Sequence, residues 1–339
     1  IQASRGCPFD CEFCLVNRVF GRRMRCRDVD DVIAELEEAP IKRVFFADDN
    51  LTLKKGWAKD LIRRLRQLDI TWFCQSSVDV ADDDELLALM ADAGCVGIII
   101  GFESLDPLAL KETRKKQNKV AEYEDAVRKI HSHGVHAVAS FVVGFDADRL
   151  ETFDHIVEFV ERNDIVSPML SILAVAPGTD LYTRMEKEGR LHPCPPEHIN
   201  GLFPHVHYAN MSQLDLLDKY RQTIERLLDF EKAGERALRL ARRGFFGQQV
   251  ASGVPAREKV ETSLRMLRRF LFTRDRKKRR IFLEFMSLVR RKVLSPDRMV
   301  MFLMNIEAGD MYLKNSRRDF EVVRAKIEKQ DRGPWRKSS

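Results

Sequence analysis

Apolar and polar residues alternate between two different patterns along the first half of the chain. From residue 1 to about residue 177, short β-branched and aromatic runs alternate with stretches in which apolar residues recur every three or four positions. The runs predict strands and the stretches predict amphipathic helices, and their regular succession predicts repeated βα units around a parallel sheet. The nearly uninterrupted apolar run at 96–101 is typical of a strand covered on both faces.

The boundaries of the elements follow from this pattern. We predict strands at residues 2–4, 43–46, 71–76, 96–101, 135–143 and 166–173, and helices at 28–38, 55–68, 84–93, 121–133 and 152–163. Asp82 or Asp83 can cap the third helix, and Gly94 can end it. Six such units indicate an α/β fold, a partial (β/α)6 barrel, whose active site would lie at the carboxyl ends of the strands.

The second half of the chain has a different character. Residues 191–200 contain three prolines and predict an extended linker. Helical stretches follow at 213–233, 235–243, 257–272, 278–294, 298–308 and 317–328. We therefore expect two domains, a barrel at 1–195 and a mainly helical, basic domain at 196–339.

Composition and charge narrow the class of protein. The 339 residues are 44% apolar, enough for a sizeable core, and no apolar run approaches the roughly 18 residues of a membrane span. Seven cysteines without a regular framework favour a reducing cytoplasm. Residues 212–339 hold 32 Lys and Arg against 17 Asp and Glu, a net +15, which leaves −9 on residues 1–211 of the +6 total. The chain opens on Ile1 inside a predicted strand, so we expect it to be a fragment of a longer protein.

Three cysteines near the start carry the clearest chemical signal. Cys7, Cys11 and Cys14 can turn toward one point if the loop wraps around it, and thiolates suit zinc or iron–sulfur clusters. A structural zinc site needs four protein ligands, and no second CxxC or HxxxH pair occurs. Three cysteines leave one iron of a [4Fe–4S] cluster open for a substrate or cosubstrate. A zinc site or a merely structural loop is the alternative.

The cysteine loop resembles that of the radical S-adenosylmethionine (SAM) enzymes, whose hallmark is CxxxCxxC with an aromatic residue before the last cysteine, here Phe13. In that family the amino and carboxylate groups of SAM bind the open iron. The resemblance implies a [4Fe–4S] cluster and SAM as cofactors, and an electron donor such as flavodoxin or ferredoxin. The reaction it implies is reductive cleavage of SAM to a 5′-deoxyadenosyl radical.

The resemblance also points to cofactor-binding residues at the strand ends. Asp48 and Asp49 stand where the family often has Gly-Gly-Glu for the SAM ammonium group, although adjacent acids can equally cap a helix. Glu103 is expected to accept hydrogen bonds from the ribose hydroxyls, a surface glutamate being the alternative, and Gly144 permits close approach near the adenine. Polar side chains that follow the same strands complete the candidate set, namely Gln75, Ser77 and Ser104. No catalytic residue beyond the cluster ligands is assigned.

A more particular resemblance comes from the order of short motifs. The sequences at 5–8, 20–22, 48–50, 101–104, 116–118, 143–146 and 177–179 resemble the branch of radical SAM proteins that carries an N-terminal cobalamin-binding domain. The helical tail resembles that of hopanoid C-2 methylase-type proteins. This implies cobalamin-dependent methylation of an unactivated carbon in a lipid or other small molecule. The DxHxxG motif that usually holds cobalamin is absent from these residues, so a domain outside them would bind it.

Other functions stay open on the sequence alone. A radical SAM enzyme of this branch can instead rearrange, cyclise or couple its substrate. The basic run at 274–280 is most simply a solvated face, but beside an apolar stripe it could rest on an anionic membrane. A non-enzymatic metal protein that binds RNA through this run is the least favoured interpretation.

Overall fold

The computed structural model describes residues 1–40, 42–192, 202–246 and 256–329. Its centre is a curled sheet of five parallel strands in sequential order. These are β3 (Arg43–Phe46), β4 (Thr71–Ser76), β5 (Cys95–Glu103), β6 (His136–Val143) and β7 (Met169–Ile172). Amphipathic helices connect them and bury their apolar faces against the sheet, as in α2 (Val29–Glu38), where Val32, Ile33 and Leu36 are buried. The α/β fold class and the partial barrel are confirmed.

The helices of the barrel are short. They are α1 (Val16–Val19), α2 (Val29–Glu38), α3 (Lys55–Leu65), α4 (Asp84–Asp92), α5 (Pro107–Glu112), α6 (Tyr123–Ser132), α7 (Leu150–Arg162) and α8 (Asp180–Lys187). The side chain of Asp83 accepts from the backbone N–H of Leu86, which confirms the predicted cap of α4. The sequence analysis missed α1, α5 and α8, because runs of four to eight residues carry too little periodicity.

The first predicted strand joins the barrel differently from the others. Residues Ser4–Arg5 form β1, which pairs antiparallel with β2 (Arg25–Cys26) rather than with the main sheet. Before it, the amino group of Ile1 donates to the carbonyl of Phe45 at 3.1 Å, and Ala47 N–H donates to the carbonyl of Ile1 at 2.8 Å. The start of the chain therefore lies along the end of β3 and leads directly into the cysteine loop.

The second half is helical, with some boundaries that differ from the prediction. It contains α9 (Gln213–Leu228), α10 (Phe230–Arg242), α11 (Ala256–Leu271), α12 (Arg276–Arg290) and α13 (Pro296–Glu328). Asp229 ends α9 and caps α10, several residues before the predicted break. The prediction of two separate helices at 298–308 and 317–328 is wrong, because both stretches belong to one helix of 33 residues. Most of the predicted linker at 191–200 lies outside the described residues.

Two apolar cores stabilise the described chain. The first lies between the sheet and its helices and also takes in side chains of residues 203–227, and the second joins helices α10 to α13. Helix α13 belongs to both, because Phe302 and Ile306 pack in the second core whereas Phe320 and Ile327 pack in the first. The domain boundary at 195/196 stays a prediction.

Much of the basic run at 274–280 is engaged within the protein. Lys278 forms ion pairs with Glu307 and Asp310 and lies 4.5 Å from the ring centre of Phe230. Arg280 pairs with Glu231 on α10. The apolar stripe beside the run is mostly buried in the second core, including Ile281, Phe282, Phe285 and Leu288. Among the described helices, none is both long and apolar enough to cross a membrane.

Candidate functional site

The cysteine loop lies beside the carboxyl end of the sheet. Cys11 is buried, Cys7 and Cys14 are partly exposed, and all three are free thiols. Burial raises the pKa of Cys7 and of Cys14, and the charge of Cys11 raises both further, as expected for neighbouring sulfur atoms. Gln117 donates a long contact of 3.8 Å to Cys11 Sγ. The fold therefore brings together the three residues that the sequence predicts as ligands.

The loop is held in place from both sides. Arg184 on α8 makes two hydrogen bonds to the carboxylate of Glu12, at 2.8 and 3.2 Å, and Glu12 N–H donates to the carbonyl of Thr113 at 3.0 Å. Gly6 has a positive φ of 94°, and a Cβ there would lie 2.5 Å from the carbonyl oxygen of Arg23. Only glycine fits this turn without moving the backbone.

Lys115 links the loop to the end of β5. Its ammonium group lies 2.8 Å from Glu103 Oε1, and both side chains are nearly buried. The positive charge of Lys115 offsets a small part of the rise in the pKa of Cys7 and of Cys14, so this ammonium group lies near the thiols. Glu103 adopts a left-handed backbone with φ of 63° at an irregularity of the β5–β6 pairing, which turns it toward this site.

The two adjacent aspartates after β3, Asp48 and Asp49, have side chains in different environments. Asp48 is fully buried and accepts hydrogen bonds from the backbone of Ala3 and Ser4 and from the hydroxyl of Ser4. Its carboxylate is thus used to hold the start of the chain. Asp49 has a buried Oδ2 without a hydrogen-bond partner in the described structure, and its negative charge acts on the thiol of Cys7. Of the two, Asp49 is the one whose carboxylate is available to a ligand.

The remaining predicted residues also fall into two groups, those already used by contacts within the protein and those still partly exposed. The hydroxyl of Ser77 accepts from Asn50 at 2.7 Å and that of Ser104 accepts from the backbone N–H of Asp106 at 3.0 Å, so both serve the protein's own turns. A Cβ on Gly144 would lie 2.6 Å from the ring of Tyr208, so the close approach that this glycine permits is made by Tyr208. The side chains of Phe13 and Gln75 stay partly exposed, and Phe13 packs against Phe145 at 5.8 Å.

Comparison with known proteins assigns this arrangement to a family. Residues 1–160 match the family model of the radical SAM superfamily. Residues 1–160 are a radical SAM domain. The match includes the cysteine loop, both aspartates and Glu103, and it ends within α7.

Relatives of the radical SAM domain include proteins named as a methylase and a methyltransferase. The hopanoid C-2 methylase of Rhodopseudomonas palustris (strain TIE-1) is 33% identical over 201 residues, which cover 56% of this chain and 38% of that protein. The bacteriochlorophyllide d C-12(1)-methyltransferase of Chlorobaculum tepidum is 32% identical over 196 residues, covering 56% of this chain and 43% of the relative. The chain thus spans well under half the length of these two relatives.

A solved structure extends the likeness in fold to nearly the whole chain. The cobalamin-dependent SAM radical enzyme OxsB, with aqua-cobalamin and SAM bound, superposes with a TM-score of 0.51 at 14% identity. The match covers 97% of this chain and 58% of OxsB. At this identity the likeness concerns the fold alone.

The residues of the radical SAM domain also fit the cluster that the family implies. A single metal ion would require ligand atoms to converge, and no group of three His, Cys, Asp or Glu side chains in the described ranges is arranged in that way. A [4Fe–4S] cluster does not need this convergence, because each thiolate binds a different iron. Lys115 adds a positive charge beside three thiolates, which suits an anionic cluster.

The sequence analysis missed three contributors to this site. Lys115, Gln117 and Asn118 lie in the polar stretch after α5, where nothing in the pattern distinguishes them from surface residues. Asn118 donates to the carbonyl of Gly101 at 2.8 Å and to that of Phe102 at 3.0 Å, and so fixes the end of β5. The motif at 116–118 contributed only to the resemblance described above, and the sequence analysis did not place this stretch at the strand ends.

Asp148 gives the radical SAM domain a pH-dependent stability. Its buried Oδ2 accepts from the backbone N–H of Gly144 and Phe145 at 2.8 and 2.9 Å, yet burial raises its pKa to about 7. In the unfolded chain an aspartate titrates near about 3.9. The folded form therefore keeps a proton that the unfolded form releases, and the stability it contributes is full below about pH 4 and lost as the pH rises through about 7.

We expect Asp148→Asn to flatten this dependence, because the amide does not ionise. Between pH 4 and pH 7 the free energy of unfolding of the wild type should fall more steeply than that of the variant, by up to about 1.4 kcal/mol per pH unit. Anaerobic urea denaturation at several pH values measures this difference. Asp92→Asn, at an exposed position on α4, should follow the wild type. Parallel profiles for wild type and Asp148→Asn would contradict the raised pKa.

Proposed function

We propose that this chain is the catalytic part of a radical SAM enzyme. Cys7, Cys11 and Cys14 would bind a [4Fe–4S] cluster, and SAM would complete the coordination of its open iron. The observation that carries the proposal is the placement of three neighbouring thiols at the carboxyl ends of parallel strands, next to Asp49 and the Glu103–Lys115 pair. This is the end of the sheet where α/β enzymes bind their ligands.

When bound, a reduced cluster would give one electron to SAM, and cleavage of SAM to methionine would supply a 5′-deoxyadenosyl radical able to remove hydrogen from a carbon of the substrate. The chain's own residues position and shield these partners. Asp49 offers an unpaired carboxylate oxygen to the SAM ammonium group. Glu103, which forms an ion pair with Lys115, would accept hydrogen bonds from the ribose hydroxyls, and Phe13 and Gln75 would contribute an aromatic and a polar side chain. The less accessible candidates, Asp48, Ser77, Ser104 and Gly144, would support the site indirectly.

Methyl transfer is the reaction we propose for the whole protein. Two of its relatives are named as a methylase and a methyltransferase, and OxsB, which shares the fold, binds cobalamin. Cobalamin would be bound by a domain outside these residues, and the substrate would be a lipid or another small molecule. A reduced flavodoxin or ferredoxin would provide the electron.

The test begins with anaerobic reconstitution using iron and sulfide, followed by dithionite and SAM. Formation of 5′-deoxyadenosine, detected by mass spectrometry, supports the radical SAM chemistry. A second assay uses a longer protein that includes a cobalamin domain, together with SAM that is labelled in its methyl group. This assay distinguishes methyl transfer from the other radical reactions. Label in the product supports methyl transfer, whereas 5′-deoxyadenosine without transferred label favours a rearrangement, cyclisation or coupling. A protein that holds a cluster but never cleaves SAM contradicts the proposal.

Lys115 gives a second test of the cluster assignment. Replacing it with methionine removes a positive charge that faces the thiols, so the cluster should become harder to reduce. We expect Lys115→Met to have a more negative reduction potential, measured by anaerobic spectroelectrochemical titration. We also expect slower SAM cleavage, measured as formation of 5′-deoxyadenosine. Lys116→Met changes an exposed neighbour and should behave as the wild type. Equal potentials in all three proteins would show that Lys115 does not face the cluster.

A cytoplasmic location and a peripheral membrane contact of the basic tail both stay predictions. Burial of the apolar stripe of α12 removes the amphipathic face that such a contact would use, which leaves only electrostatic attraction. RNA binding by the same run is weakened by its internal ion pairs.

A further inference from the structure

The inner face of the curled sheet changes character from one end of the strands to the other. Side chains two positions apart along a strand share a face, so one face of the sheet can be followed along each strand. Toward the cysteine loop, this face carries Gln75, Gly101 and Ser140, which are small or polar. Nearer the amino ends of the strands, the same face carries an apolar layer, made of Phe45, Phe73, Ile99, Val138 and Met169.

Helix α13 closes the amino end of this interior and leaves a cavity. The cavity has a volume of ≈ 760 Å³ and is lined by the apolar layer on one side and by Val300, Met301 and Met304 of α13 on the other. Proteins enclose ligands of drug-like size in cavities of about 300 to 1,000 Å³ that are mostly apolar with a few polar groups. The dimensions and the lining therefore suit an apolar ligand.

Two buried polar side chains at this end have unused hydrogen-bonding atoms. Arg298 lines the cavity with 6% of its surface exposed, and its Nε and Nη1 have no hydrogen-bond partner in the described structure. His136, at the start of β6, is 2% exposed, and neither ring nitrogen has a partner there. A buried guanidinium without a hydrogen-bond acceptor is costly, and the ring of Phe246, whose centre lies 5.4 Å from the guanidinium carbon of Arg298, offsets only part of this cost.

The charges around the cavity indicate the kind of acceptor. Burial lowers the pKa of Arg298 to about 10, so it stays positive at neutral pH. Burial lowers the pKa of His136 to about 4, with a further effect from the charge of Arg298, so the imidazole is neutral. Arg43 and Asp297 also line the cavity, and each already has a partner within the protein. Arg298 thus brings one positive charge, which matches a ligand group with one negative charge.

We propose that this cavity binds an apolar molecule that carries a carboxylate, with the carboxylate on Arg298 and His136. The guanidinium fork presents two N–H groups in the geometry that a carboxylate accepts, and the neutral imidazole adds one more donor. The apolar body of the ligand lies against Phe45, Phe73 and Ile99. No anionic ligand of this kind is needed for binding the cluster or SAM.

The position of the cavity relates this ligand to the reaction. In β5, Glu103, beside the cysteine loop, is six positions after Gly97, beside His136, a span of about 20 Å along a strand. A ligand anchored on Arg298 would therefore have its apolar end, not its carboxylate, directed toward the cysteine loop. Its assignment as the substrate rests on the proposed function, but its binding does not.

The test measures direct binding to the reconstituted protein by anaerobic titration calorimetry, with dodecanoate, dodecyl phosphate and 1-dodecanol as probes below their micelle concentrations. We expect dodecanoate to bind most tightly. Arg298→Met replaces the aliphatic stem of the side chain and removes the guanidinium and its charge, so it should weaken dodecanoate binding at least about tenfold, because a buried charge-assisted hydrogen bond is lost. Binding of 1-dodecanol should change little.

Arg318→Met is the matched control, since it makes the same substitution at an exposed position of the same helix and should leave dodecanoate binding as in the wild type. Circular dichroism confirms that both variants are folded. Equal affinity of wild type and Arg298→Met for dodecanoate would overturn the proposal, as would a wild type that prefers the alcohol or the phosphate or binds none of the probes. Iron content, measured in parallel, reports on the proposed cluster independently.

Discussion

Replacing Cys11 with alanine is expected to remove the cluster and abolish SAM cleavage. Cys11 is the buried member of the three thiols, and alanine supplies no ligand for its iron. Two thiolates and SAM cannot complete a [4Fe–4S] site, so iron content should fall from about four atoms per chain to near zero. Iron and sulfide analysis, the visible absorption of the cluster and the yield of 5′-deoxyadenosine measure the loss.

Cys26→Ala is the matched control for this experiment. Like Cys11, Cys26 is a free thiol near the start of the chain. It is partly exposed and lies on β2, outside the loop. This variant should keep its iron and its activity. If Cys11→Ala retains the cluster, or if Cys26→Ala loses it, the assignment of ligands is wrong.

The second large effect comes from making the same substitution, aspartate to asparagine, at two neighbouring positions, Asp48 and Asp49. Asp48→Asn replaces one acceptor oxygen by an NH₂ group that faces N–H and O–H donors of Ala3 and Ser4. We expect it to lower the free energy of unfolding by about 2 to 4 kcal/mol, because buried donors lose their acceptor. Asp49→Asn disturbs no such bond and should leave stability nearly unchanged.

Binding of SAM should show the opposite order. Asp49→Asn removes the negative charge that we assign to the SAM ammonium group, so the affinity for SAM should fall about tenfold. Urea denaturation and equilibrium binding of SAM to the reconstituted variants provide the two measurements. An Asp49→Asn protein that binds SAM normally would remove this residue from the site, and a fully stable Asp48→Asn protein would show that the start of the chain is held by other contacts.

The difference between these aspartates could have been predicted from strand geometry. Val44 and Phe46 are buried under the helices, and Asp48 continues that side of β3, whereas Asp49 continues the inner side with Phe45. Alternation of side chains, extended two residues past the strand, is the signal that the sequence analysis left unused. The cysteine spacing, by contrast, predicted the site directly, because all its members lie within eight residues.

Other features depend on contacts that the local sequence does not encode. Lys115 resembles its exposed lysine neighbours until the fold places it against Glu103. Arg298 lies in a predicted helix, but its burial depends on the distant strands that it faces. The polar, glycine-containing stretch between residues 308 and 317 predicted a break in α13, yet the helix continues, since Gly309 packs closely on Leu228 of α9.

Helix α13 has a consequence for the order of folding during synthesis. Its side chains complete the core of the barrel through Phe320 and Ile327, about 150 residues after the last strand of the sheet. A ribosome makes the chain from its amino end, so the sheet leaves the exit tunnel well before the helix that closes its interior. During that interval the apolar inner face is open to water and to other chains, and a chaperone that covers it would protect the enzyme until the last long helix is made.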